Sequence, residues 1–328
     1  MNSPLIPILV TGGAGYVGSH ICKALAARGY LPVVYDNMSH GHKEAVLWGP
    51  LEIGDISDRT RLDAVINRHL PVAAMHFAAS TYVGESVANP GKYYRNNVAG
   101  TLSLLEALRD HGTKGLVFSS TAATYGTPIS VPISEDAPKA PINPYGQSKW
   151  TAEQMIADFG AAHGLSTAVM RYFNAAGADP DGEIGECHVP ETHLIPLALQ
   201  AITGADSPLT VFGDDYGTPD GTCIRDYVHV SDLADAHILA LEQVLAKRVS
   251  LTLNLGIGRG FSVREVITAI EQLTGLCVPH VVGPRRDGDP PILVANVDKA
   301  FEVLQWSPKH ADLKFMVQTA WAWHQRFK

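Results

Sequence analysis

Tyr145 and Lys149 stand four positions apart in "INPYGQSKW" (residues 142–150), just after Pro144. Residues at i and i+4 share a helix face, so the pair has two readings. One is an ordinary surface pair. The other is an activated phenolate: a free tyrosine ionises near pH ~10, and an ammonium beside it favours the charged form and lowers that value. A second stretch with chemical potential is "VTGGAGYVGSH" (10–20), where Gly12, Gly15 and Gly18 recur with two residues between each. Glycines so spaced permit a tight turn and close backbone approach, and a helix that follows presents its N-terminal N–H groups to a pyrophosphate. The alternative is a plain turn between a strand and a helix.

The flanking elements decide how these residues are placed. Leu5 to Val10 is a short apolar run, as in a buried parallel strand, and "YVGSHICKALAARG" has helical periodicity ending at Gly29, a good residue just past a helix. Strand, glycine turn and helix together give the motif its meaning. A second strand, "LPVVYDN", ends at Asp36, 21 positions after Gly15. A carboxylate there accepts hydrogen bonds from the adenosine ribose and repels a 2′-phosphate, so NAD is expected over NADP. A third strand in "PLEIGDISD" leads to Asp55 and Ile56; Asp55 is either an adenine-edge contact or a helix N-cap. A fourth, "VAAMHFAAS", ends in the small Ala78, Ala79 and Ser80, which let a cofactor come close. A fifth, "GLVFSSTAATYG", ends in the hydroxyls of Ser119, Ser120, Thr121 and Thr124, and a sixth, "STAVMRYFN", ends at Tyr172, Phe173 and Asn174.

Strands alternate with helices throughout, which predicts an α/β fold with a doubly wound, parallel Rossmann-type sheet. Ligands in such sheets sit outside the carboxyl ends of the strands. The hydroxyl cluster, the Tyr145/Lys149 pair and "YFN" all fall there, which favours the catalytic phenol.

The 328 residues carry a formal net charge of −8, with 46% hydrophobic and 18% charged residues. An acidic balance argues against a nucleic-acid partner, while a few local arginines still suffice for a small anion. Cys22, Cys187, Cys223 and Cys277 are widely separated, without metal or redox spacing. Isolated thiols suit a reducing compartment. The start "MNSPLIPILV" lacks a basic leader and no apolar run reaches membrane-spanning length, so a cytoplasmic protein with no membrane partner is expected. "ECHVPETH" gathers Glu186, Cys187, His188, Glu191 and His193, but its irregular spacing and the lack of a second ligand pair argue against a metal; none is expected.

"TGGAGYVG", "FSSTAATYG", "PYGQSK" and "RYFNAAGA" together resemble the extended short-chain dehydrogenase/reductase family. Within it, "GESVANPGKYYRNNVAGT", "PETHLIP", "DGTCIRDYVHVSDLADAH", "LNLGIGRG" and "RRDGD" resemble the branch of UDP-glucose 4-epimerases, and the likeness spans nearly the whole chain. The resemblance implies a smaller C-terminal domain that binds a UDP-sugar, NAD as a retained cofactor, and reversible oxidation at sugar C4 through a 4-keto form, interconverting UDP-glucose and UDP-galactose. It implies catalytic roles for Tyr145 as base, Lys149 as its cationic neighbour and nicotinamide-ribose ligand, and Thr121, where many members have serine. Implied cofactor contacts are Gly12, Gly15, Tyr16, Val17, Gly18, Asp36, Asn37, Asp55, Ile56, Phe77, Ala78, Ala79, Asn96, Ser119, Tyr145, Lys149, Tyr172 and Phe173. Thr81 departs from relatives that carry lysine at that position. Implied substrate contacts are Thr121, Tyr145, Asn174, His193, Leu194, Phe212, Arg225, Tyr227, Arg286, Asp289 and Leu293. On residue type alone, Arg225 also suits a salt bridge with Asp226, Arg285-Arg286 a solvated turn, and Leu293 the core of an apolar strand in "PILVANV".

The expected division is a NAD-binding domain over 1–174, with 225–259 returning to it, and a UDP-sugar-binding domain over 175–224 and 260–328. A homodimer is implied through helices around 92–110 and 145–160. Sugar-nucleotide dehydratases and decarboxylases of this fold need titratable groups where this chain has Ala122 and Ala123. A non-catalytic NAD sensor would lose the tyrosine. A 4-epimerase of another UDP-sugar, such as UDP-xylose/UDP-arabinose or UDP-N-acetylglucosamine, stays compatible with these residues.

Overall fold

A computed structural model describes residues 5–204, 207–286 and 288–327. The first part of the chain runs β1 (Ile6–Thr11), α1 (Tyr16–Ala27), β2 (Tyr30–Asp36), β3 (Leu51–Ile53), α2 (Arg59–His69), β4 (Ala73–His76), α3 (Val83–Ala88), α4 (Pro90–Tyr93), a π-helical turn (Tyr94–Ala99), α5 (Gly100–Asp110), β5 (Gly115–Thr121), α6 (Pro144–His163) and β6 (Ser166–Tyr172). It continues β7 (Asn174–Ala176), α7 (Leu194–Ile202), β8 (Leu209–Phe212), β9 (Ile224–Arg225), β10 (Tyr227–His229), α8 (Val230–Lys247), β11 (Leu251–Leu255), β12 (Phe261–Ser262), α9 (Val263–Thr274), β13 (His280–Gly283), β14 (Ile292–Leu293), α10 (Asp298–Leu304) and α11 (Leu313–His324).

The main sheet has seven strands in the order β11-β6-β5-β4-β1-β2-β3, and the pairs from β3 through β5 are parallel. The chain builds outward from β1 through β2 and β3, then returns to β4 and winds the other way, so the topological switch lies between β1 and β4. The expected doubly wound sheet is therefore present. Every residue of β5 is buried, as a central parallel strand requires. One face of the sheet packs Leu9, Val33, Leu116 and Phe118 against Leu62 and Ile66 of α2, Leu104 and Leu108 of α5, and Ile156 of α6.

The chain divides into two compact units. Unit 1 holds residues up to Thr124, Pro141–Arg171 and Ala234–Leu253; unit 2 holds Tyr125–Ala140, Tyr172–Leu233 and Asn254 onward. Four stretches that the sequence division assigned to the first domain, 125–140, 172–174, 225–233 and 254–259, fall in unit 2. Segment 125–140 joins unit 2, because Ile133 bridges Ala295, its N–H donates to the Val294 carbonyl at 2.8 Å, and Tyr125 donates to Asn254 Oδ1 at 2.6 Å. The return to unit 1 begins at Ala234 rather than 225, since β9 and β10 pair with β12, β14 and β7 in small sheets of unit 2. Unit 2 has its own core, in which Ile195 and Leu199 of α7, Val266 and Ile270 of α9, and Met316 and Val317 of α11 meet Leu209 and Val211 of β8. Among the described residues, no helix is long and apolar enough to cross a membrane.

Candidate functional site

At the switch point the glycine turn closes against the end of β4. Helix α1 starts at Gly15 as N-cap, with no side-chain cap on its first N–H groups and no acidic residue in its first turn. Those donors are left for a ligand, and the positive end of the helix favours an anion there. A Cβ on Gly18 would lie 2.2 Å from the Gly12 carbonyl oxygen, so the helix sits directly on the turn. Tyr16 is buried, packing edge-on to His20 at 5.4 Å, and Val17 is half-buried beside it.

Asp36 ends β2 and is buried. Its two oxygens accept from Ala14 N at 3.1 Å and Met38 N at 2.9 Å, which locks the carboxylate to the glycine turn and leaves each oxygen a further lone pair for a hydroxyl. Burial raises its pKa, against the pull of those two amides. Asp55 accepts from Ser57 Oγ at 2.6 Å, Ser57 N at 2.9 Å and Asn37 Nδ2 at 2.8 Å; burial raises its pKa, but these bonds outweigh it and the net direction is down. The N-cap alternative for Asp55 fails, because the cap of α2 is Asp58, which accepts from Arg61 N. Ile56 is buried in the core of unit 1, so only its backbone is free to meet a ligand. Phe77, Ala78 and Ala79 follow β4 and are half-buried. Asn96 lies in the π-helical turn and donates to Asn97 Oδ1 at 2.9 Å.

The opening pair is placed by α6. Asn143 caps the helix by accepting from Gly146 N at 2.8 Å, and Pro144 takes the first turn, where a missing N–H costs nothing. Tyr145 is half-buried in that turn, with its ring edge-on to Tyr93 at 6.4 Å. A Cβ on Gly146 would come within 2.5 Å of the Ala123 carbonyl; glycine thus lets the first turn of α6 press against the exit of β5. That exit carries Thr121, buried, whose Oγ1 accepts from Ala123 N at 3.1 Å. Lys149 is buried, donates to the Ser119 carbonyl at 2.9 Å, and lies 4.8 Å from the Phe118 ring centre. The bland surface-pair reading fails for a lysine so buried. Burial pulls its ammonium down to about 7, with the charge of Glu153 opposing.

Since the folded pKa of Lys149 lies below its unfolded value of ~10.4, the folded chain holds fewer protons between the two. The stability linked to Lys149 is therefore fully present above the unfolded value and is lost as pH falls toward about 7. For protein freed of nucleotide, unfolding free energy is expected to rise from pH 7 to pH 9, with this group adding at most ~1.4 kcal/mol per pH unit. Lys149→Met should flatten that rise. Urea titrations across the range measure it, and equal slopes in parent and variant would discard this reading.

Several supporting groups carry no motif. Glu153 accepts from Ser120 and receives the Arg171 guanidinium, with Arg171 Nε at 3.0 and 3.1 Å from its two oxygens. This buried pair lies one turn behind Lys149 and fixes α6 to β5 and β6. Asn97 accepts from Ser80 N at 2.8 Å and donates to Ser148 Oγ at 3.0 Å, joining the β4 exit to α6. A doubled asparagine before a helix is the signal that points to it.

In unit 2, Arg225 does not pair with its neighbour Asp226. Its guanidinium pairs with Asp289 and donates to the Ile224 carbonyl. Asp226 instead accepts from Ile257 N at 2.8 Å and from Gly258 N and Ala295 N at 3.1 Å; burial pushes its carboxyl up to about 7 against these three donors. Its backbone receives Asn174 N and donates to the Leu293 carbonyl, so one residue sets the positions of two predicted contacts. Leu293 lies opposite Arg225 in the β14–β9 pairing and is half-buried, which places it in a strand without burying it as core. Arg286 is exposed, as the solvated-turn alternative has it, and its guanidinium stands 4.0 Å from the Phe212 ring centre. Tyr227 is buried in the apolar core of unit 2, and burial raises its pKa; its ring is a packing residue. Leu194 starts α7 and packs partly on the same core. Tyr172 ends β6 and Phe173 follows it; both are half-buried and fall within unit 2, whereas the sequence grouped them with the nucleotide domain. Burial alone would lower His193, but the charge of Glu186 and bonds to Glu186 and Glu191 raise it well above the usual range.

A UDP-glucose 4-epimerase from Rhizobium meliloti (strain 1021) is 55% identical to this chain over 97% of each. The crystal structure of UDP-glucose 4-epimerase from Brucella ovis in complex with NAD matches with a TM-score of 0.94 at 54% identity, covering 96% of this chain and 97% of that one. The UDP-glucose-4-epimerase from Stenotrophomonas maltophila, solved with bound NAD and formylated UDP-arabinopyranose, matches at 0.95 and 41% identity over 98% of both chains. The profile of the NAD dependent epimerase/dehydratase family matches residues 8–256. On its glycine turn, its sheet order and this match over most of its length, the chain belongs to the NAD dependent epimerase/dehydratase family.

Proposed function

We propose that this protein interconverts UDP-glucose and UDP-galactose with NAD as its retained cofactor. The observation that carries the reading is the placement of Tyr145 in the first turn of α6, one turn before buried Lys149, where Gly146 closes on Ala123 just past Thr121 of β5. The glycine turn fits the pyrophosphate, with uncapped N–H groups on α1, and Asp36 fits the adenosine ribose. NAD, when bound, would supply the hydride acceptor and donor for sugar C4; because the 4-keto sugar turns over in the site and is reduced on its other face, configuration inverts with no net redox change. Tyr145, held as phenolate by the positive charge beside it, accepts the 4-hydroxyl proton and gives it back when the ketone is reduced. Thr121 Oγ1 donates to the same oxygen. Unit 2 is assigned the UDP moiety: Arg225 and Arg286 supply guanidinium forks for the diphosphate, Asp289 accepts from the uridine ribose, Phe212 flanks the uracil, and Asn174, His193 and Leu194 meet the phosphates and sugar.

A pentose nucleotide is the second reading, favoured by the UDP-arabinopyranose derivative in the Stenotrophomonas relative. Separate incubations with UDP-galactose, UDP-xylose and UDP-N-acetylglucosamine, without added NAD, decide between them. UDP-glucose formed from UDP-galactose, and NAD released on heating the purified protein, are the expected results. An empty protein that consumes added NAD stoichiometrically would sink the proposal.

Leu293 sets how large a sugar is accepted. Leucine is smaller than tyrosine, larger than serine, and has no hydroxyl for the sugar, so N-acetylated substrates are expected to be poor. Leu293→Ser should raise kcat/KM for UDP-N-acetylglucosamine relative to UDP-glucose and Leu293→Tyr should lower it, each by roughly 10-fold, the scale of a one-group steric change. If both variants lose stability and neither shifts the ratio, Leu293 is a packing residue.

A galactose-metabolising role follows from the proposed reaction. Cytoplasmic residence accords with four free cysteines. A homodimer through the helices around 92–110 and 145–160 accords with the exposure of Tyr94 and Leu102 on the first of these segments.

A further inference from the structure

The segment between β7 and α7 contains the residues whose irregular spacing argued against a metal. Folding removes that objection. Glu186, His188, Glu191 and His193 each bring one donor atom to within 4.8 Å of all the others. Both imidazoles turn Nδ1 toward the carboxylates. His193 Nδ1 lies 2.6 Å from Glu186 Oε1 and 3.1 Å from Glu191 Oε1, and His188 Nδ1 lies 3.0 Å from Glu186 Oε1 and 3.9 Å from Glu191 Oε2. These separations bracket the ~3.3 Å edge of a tetrahedron with metal–ligand bonds of ~2.0–2.1 Å.

The charge balance points the same way. The side chains of Glu186 and Glu191 are only 7% and 5% exposed. Among the described residues, the Glu186 carboxylate has the two imidazoles as its partners. Glu191 Oε1 accepts in addition from Thr192 N and His193 N at 2.6 and 2.8 Å. Two buried carboxylates need two positive charges. A dication supplies both at one point and leaves each imidazole neutral, the form in which it ligates. Two nitrogen and two oxygen donors suit zinc and neighbouring first-row ions, whereas calcium and magnesium take all-oxygen shells.

We propose that Glu186, His188, Glu191 and His193 form a structural site for a zinc-type divalent transition metal within unit 2. Four protein ligands close the coordination shell, so the ion holds structure and takes no part in catalysis; His193 ligates through Nδ1 and, with its side chain 42% exposed, keeps Nε2 for the substrate contact proposed above. It staples residues 186–193 to the start of α7, whose Ile195 and Leu199 lie in the core of unit 2. The site stands on its own geometry, whichever UDP-sugar the protein handles.

The test uses the full chain with its nucleotide, cleared of metal by a chelator and titrated with Zn²⁺ alone by calorimetry, then with Co²⁺ alone by visible absorption. About one equivalent should bind, with a rise in melting temperature, and Co²⁺ should give tetrahedral bands without a thiolate charge-transfer band, which excludes Cys187. His188→Gln and Glu186→Gln should each weaken binding by ~10-fold or more. Asp181→Asn, in the separate acidic group Asp179, Asp181 and Glu183, and Cys277→Ser should leave it unchanged. Circular dichroism and nucleotide content verify folding of each variant, and the parent's own Co²⁺ spectrum reports the ligand set even if a variant is lost. Absence of stoichiometric binding by the parent overturns the proposal, leaving a self-satisfied histidine–carboxylate cluster. So does binding that is undiminished in both His188→Gln and Glu186→Gln, lost in Asp181→Asn, or marked by a thiolate band.

Discussion

Tyr145→Phe is expected to lower turnover of UDP-galactose by ~10²–10⁴-fold, the usual share of a general acid–base group, while the purified variant keeps its NAD. The substitution removes one oxygen and nothing else. The ring still packs edge-on to Tyr93. The first turn of α6 still closes on Ala123, because that contact depends on Gly146. Lys149 still donates to the Ser119 carbonyl, so the ammonium is not set adrift. The loss should therefore appear in kcat, with KM moving little, as expected when an interaction made in the transition state is deleted. A parallel Lys149→Met would be harder to interpret, since it removes a buried charge and a hydrogen bond together. Turnover within a few-fold of the parent would return Tyr145 to a surface role and end the proposed mechanism.

What could be read before folding was the part encoded locally. The glycine turn, the acidic end of β2 and the Pro-Tyr-Gly opening of α6 each combine a residue type with a position in one element, and one element is short enough to read. The doubly wound character of the main sheet followed from alternating strands and helices, whereas its strand order did not. What escaped depends on contacts between distant segments. The Glu153–Arg171 pair joins residues 18 apart, and the Ala295 N bond to Asp226 spans 69; neither leaves a periodic trace. On residue type alone Arg225 suits a bond to its neighbour Asp226, but the Asp226 carboxylate is taken by three backbone amides and Arg225 reaches Asp289 instead. The π-helical turn that presents Asn96 and Asn97 gives no sequence pattern either, since it holds one wider turn inside otherwise helical chain. Segment 125–140 was assigned by its place in the chain, whereas its hydrogen bonds to Val294 and Asn254 assign it to unit 2.

Gly18→Ala should be as damaging to the cofactor as Tyr145→Phe is to the chemistry. The added Cβ would meet Gly12 O at 2.2 Å, with Gly12 C and Gly13 Cα at 2.9 Å. All three are backbone atoms, so no side chain can rotate away and α1 must move off the glycine turn. Forced repacking of this kind costs roughly 1–3 kcal/mol, more where backbone must shift. The same displacement spoils the cradle, because the N–H groups at the start of α1 must converge with the turn on one pyrophosphate. A loss of ~2 kcal/mol there weakens nucleotide binding ~30-fold, enough for a retained cofactor to be washed out during purification. Gly29→Ala supplies the contrast. Gly29 has φ of +78° but nothing within 4 Å of an added Cβ, so it carries only the conformational penalty of roughly 1–2 kcal/mol for a left-handed residue, at the far end of α1. The Gly29 variant should melt earlier yet keep its NAD, while the Gly18 variant should melt earlier and emerge nearly empty. NAD released by heating, per mole of folded protein, separates the two. Full NAD content in Gly18→Ala would show that α1 can lift from the turn without disturbing the cofactor, and would move the pyrophosphate away from this helix.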